Sequence, residues 1–139
     1  MRRVVIDTNL FIDWFNKGRY SEVLFQRDAV KYLSAVVMME LYAGARSRRD
    51  RRMLDSVTGT FAKAGRILVP TDSLYREAGQ VLSELGGKRS GLTRQVATLT
   101  NDVLIALSAR SIGATVLTRN ESDFLAIQHV RPFRLTIVA

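Results

Sequence analysis

Short β-branched runs, separated by stretches of helical periodicity, constrain this chain more than any other feature. Arg3 to Ile6 reads as a first strand and Val30 to Ala35 as a second. Arg66 to Val69, closed by Pro70, reads as a third, and Ala114 to Thr118 as a fourth. Between them, apolar residues recur every three or four positions. Asn9 to Phe15 carries Leu10, Phe11, Trp14 and Phe15 at that spacing, with Thr8 or Asn9 suited to cap it. Ser21 to Asp28 suggests a second, short helix, and Val36 to Ala45 a third that ends near Gly44. Arg46 to Ala64 reads as a longer polar helix with Met53, Leu54, Val57 and Phe61 turned inward. Thr71-Asp72-Ser73 opens a helix to about Leu85, and Gly86 to Gly91 is a basic loop. Leu92 to Ile112 is a long helix stopped by Gly113. A short acidic turn then leads to a fifth strand, Phe133 to Val138. Strands that alternate with helices make an α/β fold, a parallel sheet covered on both faces. Ligands in such sheets collect at the carboxyl ends of the strands, which puts Asp7 and the segment after Thr118 on one edge.

The 139 residues suit one domain over 1–139, and no repeat or linker divides them. Absence of cysteine excludes a disulfide framework, a thiol nucleophile and an iron–sulfur cluster. A single histidine, His129, excludes a His-rich metal site; it reads as a surface or loop residue without a role. Met1-Arg2-Arg3 precedes only three apolar residues, too few for a signal-peptide core. Nor is there a run of about eighteen apolar residues, so no membrane span is expected. The expected location is the cytoplasm.

The formal charge is +8, and 17 of the 21 basic residues are arginine. Arginine's planar fork matches phosphate oxygens, which favours a polyanionic partner such as nucleic acid. A coding bias toward arginine would leave the same mark. Arg46 to Arg52 holds five arginines in seven positions, with Arg48 and Arg52 as candidate phosphate contacts; a solvated helix face is the plain alternative. Lys88, Arg89 and Arg94 form a second basic cluster. Gly86-Gly87-Lys88 lacks the residues of a nucleotide loop, since Arg89 follows and Leu82 stands where the first glycine belongs. Trp14, Phe15 and Tyr20 could stack on bases, but packing in the core or an oligomer interface suits them better.

The acids are the informative charges. Asp7 ends an apolar strand, and Glu40 is the only charge between Lys31 and Arg46. Asp102 heads the apolar run Val103 to Ala109, and Asp123 follows the fourth strand just before Phe124. A lone buried carboxylate costs several kcal/mol, so each needs a partner or a cation. No lysine or arginine stands one helical turn from Glu40 or Asp102. Asp7 alone could cap the first helix and Asp123 alone could be a turn residue, but Glu40 and Asp102 resist that reading because each lies within a helical pattern. Four together, without local counter-charges, point to a hard divalent cation, Mg2+ or Mn2+. A bound metal supplies a water nucleophile and stabilises a leaving oxygen without cysteine or histidine.

Four segments carry a family resemblance: Val4-Val5-Ile6-Asp7-Thr8-Asn9, Met39 to Gly44, Asn101 to Ala106, and Leu117 to Phe124. In order and spacing the chain resembles the PIN-domain ribonucleases, most of all the VapC-type toxins of toxin–antitoxin pairs, over essentially its whole length. The resemblance implies a parallel sheet of order 3-2-1-4-5 and metal-dependent cleavage of single-stranded or loop RNA. It implies that Asp7, Glu40 and Asp102 bind metal, with Asp123 as the fourth acid ahead of Asn120 and then Glu121. Asn9 would orient Asp7 or the scissile phosphate, and Thr118 would hydrogen-bond Asp7 and keep it ionised. Implied partners are a tRNA or rRNA substrate, a small antitoxin and a second copy of the chain. The stretch from Gly91 to Thr100 departs from the family, being longer and more helical than the usual loop.

A non-catalytic RNA-binding module with the same fold is the alternative, and a missing acid would mark it. A phosphatase with an aspartyl nucleophile fits less well, because Asn9 stands where that chemistry wants a second aspartate.

Overall fold

The computed structural model describes residues 1–86 and 94–139. Five parallel strands form one sheet of order β3-β2-β1-β4-β5. The strands are β1 (Arg2–Ile6), β2 (Ala29–Ser34), β3 (Ile67–Leu68), β4 (Thr115–Thr118) and β5 (Arg134–Ile137). The central strand is β1, and Val4, Val5 and Ile6 are almost wholly buried, as a strand covered on both faces requires.

Among the described residues, seven helices join the strands: α1 (Thr8–Lys17), α2 (Ser21–Leu24), α3 (Ala35–Gly44), α4 (Arg48–Lys63), α5 (Asp72–Gly86), α6 (Arg94–Ser111) and α7 (Glu121–Val130). Strand order reverses between β1 and β4, so right-handed crossovers send the early helices to one face and the late ones to the other. The packing agrees. Helices α5, α6 and α7 pack on one another, with α6 against β1, β2 and β4; α3 packs on α1, α4 and β2. One apolar core joins the layers, with Leu10, Leu33, Ile105, Leu107, Phe124 and Ile127 wholly or nearly wholly buried. No helix among the described residues is long and apolar enough to cross a membrane.

Several expectations change. Helix α1 is capped by Asp7 rather than Thr8 or Asn9, because the Asp7 side chain accepts the first free amide, Thr8 N–H. Helix α2 is a single turn, shorter than Ser21 to Asp28, and β3 is two residues rather than four. Met53 stays exposed, while Leu54 carries the buried face of α4. The largest correction is α7. The expected short acidic turn is the first turn of a ten-residue helix, fastened by Phe124 and Ile127, both 0% exposed. Acids in a first turn suit the helix dipole, so Glu121 and Asp123 start a helix there instead of forming a turn. His129 is exposed in the last turn of α7. Tyr20 is buried, and Trp14 and Phe15 pack against the core, Trp14 meeting Phe15 at 5.0 Å and Phe25 at 5.1 Å between ring centres. Most of the basic loop from Gly86 to Gly91, with Lys88, Arg89 and the start of the expected helix at Leu92, lies outside the described residues.

Candidate active site

The carboxyl edge of the sheet gathers the site through chain geometry. Ile6 pairs with Leu117 across β1 and β4, and the Asp7 amide continues the ladder to the Leu117 carbonyl at 2.9 Å. Asp7 and Thr118 are therefore neighbours by register. Their contact follows: the Thr118 hydroxyl donates to Asp7 Oδ2 at 2.6 Å. Thr118 Oγ1 also accepts from the Asn120 amide at 2.9 Å and from Asn9 Nδ2 at 3.3 Å. A hydroxyl has one hydrogen and two lone pairs, so those two acceptances commit its hydrogen to Asp7.

Glu40 arrives from β2. Ser34 caps α3 by accepting from Val36 N–H at 3.1 Å and Val37 N–H at 3.4 Å, which starts the helix at the strand end. Glu40 then lies one and a half turns along, and Thr8 Oγ1 donates to its Oε1 at 2.7 Å. Asp102 arrives from the opposite direction. Helix α6 runs back toward the amino ends of the strands, and from Asp102 to Ser111 it spans about 14 Å. The left-handed turn at Gly113 (φ 67°) reverses the chain, and β4 climbs back roughly that far, bringing Asp102 level with Thr118.

Asn120, at the head of α7, ties the last two acids together. Its Nδ2 donates to Asp102 Oδ2 at 3.3 Å and to Asp123 Oδ2 at 3.1 Å. Asparagine at this position ordinarily caps its own helix, but here its side chain makes no cap bond. The amide is spent on the carboxylates instead.

Asp7 is buried, whereas Glu40, Asp102, Asn120 and Asp123 are half-buried at the edge, where a ligand can reach them. Burial raises the Asp7 carboxyl above its usual value; the bonds from Thr118 and Thr8 N–H oppose that, and Glu40 adds to it. The expected lowering by Thr118 is present but outweighed. Burial first, then the charges of Asp7, Asp123 and Glu40, push Asp102 up to about 7. None of the four acids has an ion-pair partner among the described residues. Nor, among those residues, do three acids yet close on a single point.

Sequence reasoning missed Thr8, Asp13 and Arg119. Thr8 was legible only as a cap; its role as a buried donor to Glu40 leaves no trace in the charge pattern. Asp13, one turn beyond Asn9, lies 2.9 Å from the Arg119 guanidinium, a close ion pair without hydrogen-bond alignment. Asn9 Oδ1 accepts from Arg119 N–H at 3.4 Å, so α1 grips the β4–α7 corner at two points. Asn9 thus touches Thr118 and Arg119 rather than Asp7. Glu121, Arg48 and Arg52 are exposed, and neither Arg48 nor Arg52 lines the cleft beside Glu40.

A five-stranded parallel sheet of order 3-2-1-4-5 is the fold of the PIN domain. The chain belongs to that family, whose model matches residues 4–130. Among solved structures it is similar to DNA-bound VapBC from Salmonella typhimurium, at 25% identity, 99% of this chain, 98% of that chain and TM-score 0.68. It is similar to VapBC2 from Rickettsia felis bound to a promoter DNA fragment, at 22%, 99% of both chains and 0.68. VapBC-1 from nontypeable Haemophilus influenzae gives 20%, 97% of both chains and 0.69. No curated protein sequence matches the chain significantly.

Proposed function

We propose that this chain is a divalent-metal-dependent endoribonuclease, the toxin of a toxin–antitoxin pair, acting as one domain over 1–139. The observation that carries the reading is that Asp7, Glu40, Asp102 and Asp123 lie toward one sheet edge, hydrogen-bonded by neutral donors and without an ion-pair partner among the described residues. Asp7, Glu40, Asp102 and Asp123 would hold Mg2+ or Mn2+, because a hard oxygen set without counter-charge suits those ions. When bound, the ion would supply an activated water and charge stabilisation at a phosphodiester.

The protein's own groups have separable tasks. Thr118 and Thr8 N–H hold both Asp7 oxygens in place, Thr8 Oγ1 fixes Glu40, and Asn120 spaces Asp102 from Asp123. Asn9 acts one step back, through Thr118. The basic excess, Arg48 and Arg52 included, draws an RNA strand toward the edge. The substrate is a tRNA or rRNA loop, and the setting is the cytoplasm. The similar VapBC structures support a cognate antitoxin as partner; the homodimer as working form rests on the family resemblance alone.

The test is cleavage of total RNA by antitoxin-free protein with Mn2+, with Mg2+ and with EDTA, beside Asp7→Asn. Discrete products that need both metal and Asp7 are expected. Bound but uncut RNA under every condition would favour a binding module instead.

A further inference from the structure

The acidic edge opens into a cleft that the four acids do not explain. It has a volume of about 350 Å3, lies between α1, α3 and α4, and has Glu40 in its wall. Phe15, Leu41, Leu54 and Met53 give it apolar sides, while Asn16 and Arg49 contribute exposed polar ends. Helix geometry selects Arg49 from the arginine run. Arg49 and Met53 are one turn apart and share a flank of α4; Arg48 and Arg52 share the next flank and do not line the cleft. Arg49 has no ion-pair partner among the described residues. It also lies in the first turn of a sixteen-residue helix, which Ser47 caps by accepting from Asp50 N–H at 3.0 Å. Positive charge there adds to the helix dipole rather than opposing it.

Resting on the nuclease reading above, we propose that this cleft is a nucleotide subsite for single-stranded RNA. One unstacked base lies against Phe15 and Met53, and its phosphate is held by the Arg49 guanidinium. The strand then continues past Glu40 to the reacting edge. An aromatic face beside a guanidinium is the pairing that single strands use, a base stacking while the phosphate is neutralised. Asn16 presents both a donor and an acceptor to the base edge. Asp50, in the same lining, accepts from an exocyclic amino group, which disfavours a second phosphate there and favours a base. The cleft therefore contributes sequence preference as well as grip.

The test measures anisotropy of a fluorescein-labelled mixed-sequence RNA decamer, over several salt concentrations, in an Asp102→Asn background that binds without cutting. Adding Arg49→Ala is expected to weaken binding about tenfold and flatten the slope of log K against log salt by about 0.7. Adding Phe15→Leu, which keeps bulk and loses the ring face, weakens binding at unchanged slope. Arg134→Ala is the control: it removes equal charge at the start of β5, level with Thr115 on the opposite edge of the sheet. With the cutting enzyme, Asn16→Ala shifts the base preference beside the cleavage point. If Arg49→Ala behaves as Arg134→Ala does, the subsite is overturned, and the cleft is left to a peptide of a protein partner. If the Asp102→Asn protein binds no RNA at all, the nuclease reading falls with it.

Discussion

At Thr118 a single hydroxyl fixes the geometry of three site residues, because its one hydrogen and two lone pairs all have partners. At Asp102 burial, and then the charges of Asp7, Asp123 and Glu40, oppose ionisation. Its carboxyl titrates near 7 when folded and near 3.8 when unfolded, so between those values the folded chain keeps a proton that the unfolded chain has lost. Stability of the metal-free protein should therefore fall as pH rises through that window, and recover on acidification. In EDTA, Asp102→Asn should remove most of that slope. Near neutral pH it should stabilise the fold by on the order of 1–2 kcal/mol, a figure discounted for solvent access. Thermal melts from about pH 5 to 8 check this, and parallel curves for the two proteins would refute it. The acids were legible in the sequence because charge in an apolar segment is anomalous. Thr8 and the Asn120 amide were not, since neutral donors leave no such anomaly and their partners are distant in sequence.

Among the elements, α7 is the one the sequence concealed. Its first turn, Glu121-Ser122-Asp123, has the composition of a loop, and helical spacing begins only with Phe124, Ile127 and Val130. Burial of Phe124 and Ile127 against the core decides the matter, since tertiary packing outweighs local propensity in a short helix. The strands were easier, because β-branched runs fully buried on both faces have few other places to go. Boundaries shifted where ends fray, as at β3 and α2. Helix α7 also carries Asp123 and follows Asn120, so its seating sets the fourth acid's position. Phe124→Ala should cost about 3–5 kcal/mol by denaturant unfolding, from lost burial and a residual cavity. Cleavage per folded molecule should fall as well. Full specific activity in the folded fraction would show that α7 does not position the site.

For the whole molecule, strand order was an implication of family resemblance, and the structure bears it out. Periodicity alone gave alternating elements but no order, because any right-handed arrangement satisfies the same local pattern. The order matters: its reversal between β1 and β4 opens the crevice in which Asp7, Thr118 and the head of α7 meet. On the proposed reading, a basic molecule whose Asp7, Glu40, Asp102 and Asp123 have no ion-pair partner among the described residues would draw in a polyanion overall and hold a cation at that crevice. The measurement that tests this most directly is calorimetric titration of Mn2+ into the metal-free protein, beside Asp7→Asn and Asp102→Asn. Saturable binding that each substitution weakens by about tenfold or more is the expected result. Undiminished affinity in both variants, or no saturable binding by the wild type, would contradict the metal site and the function built on it.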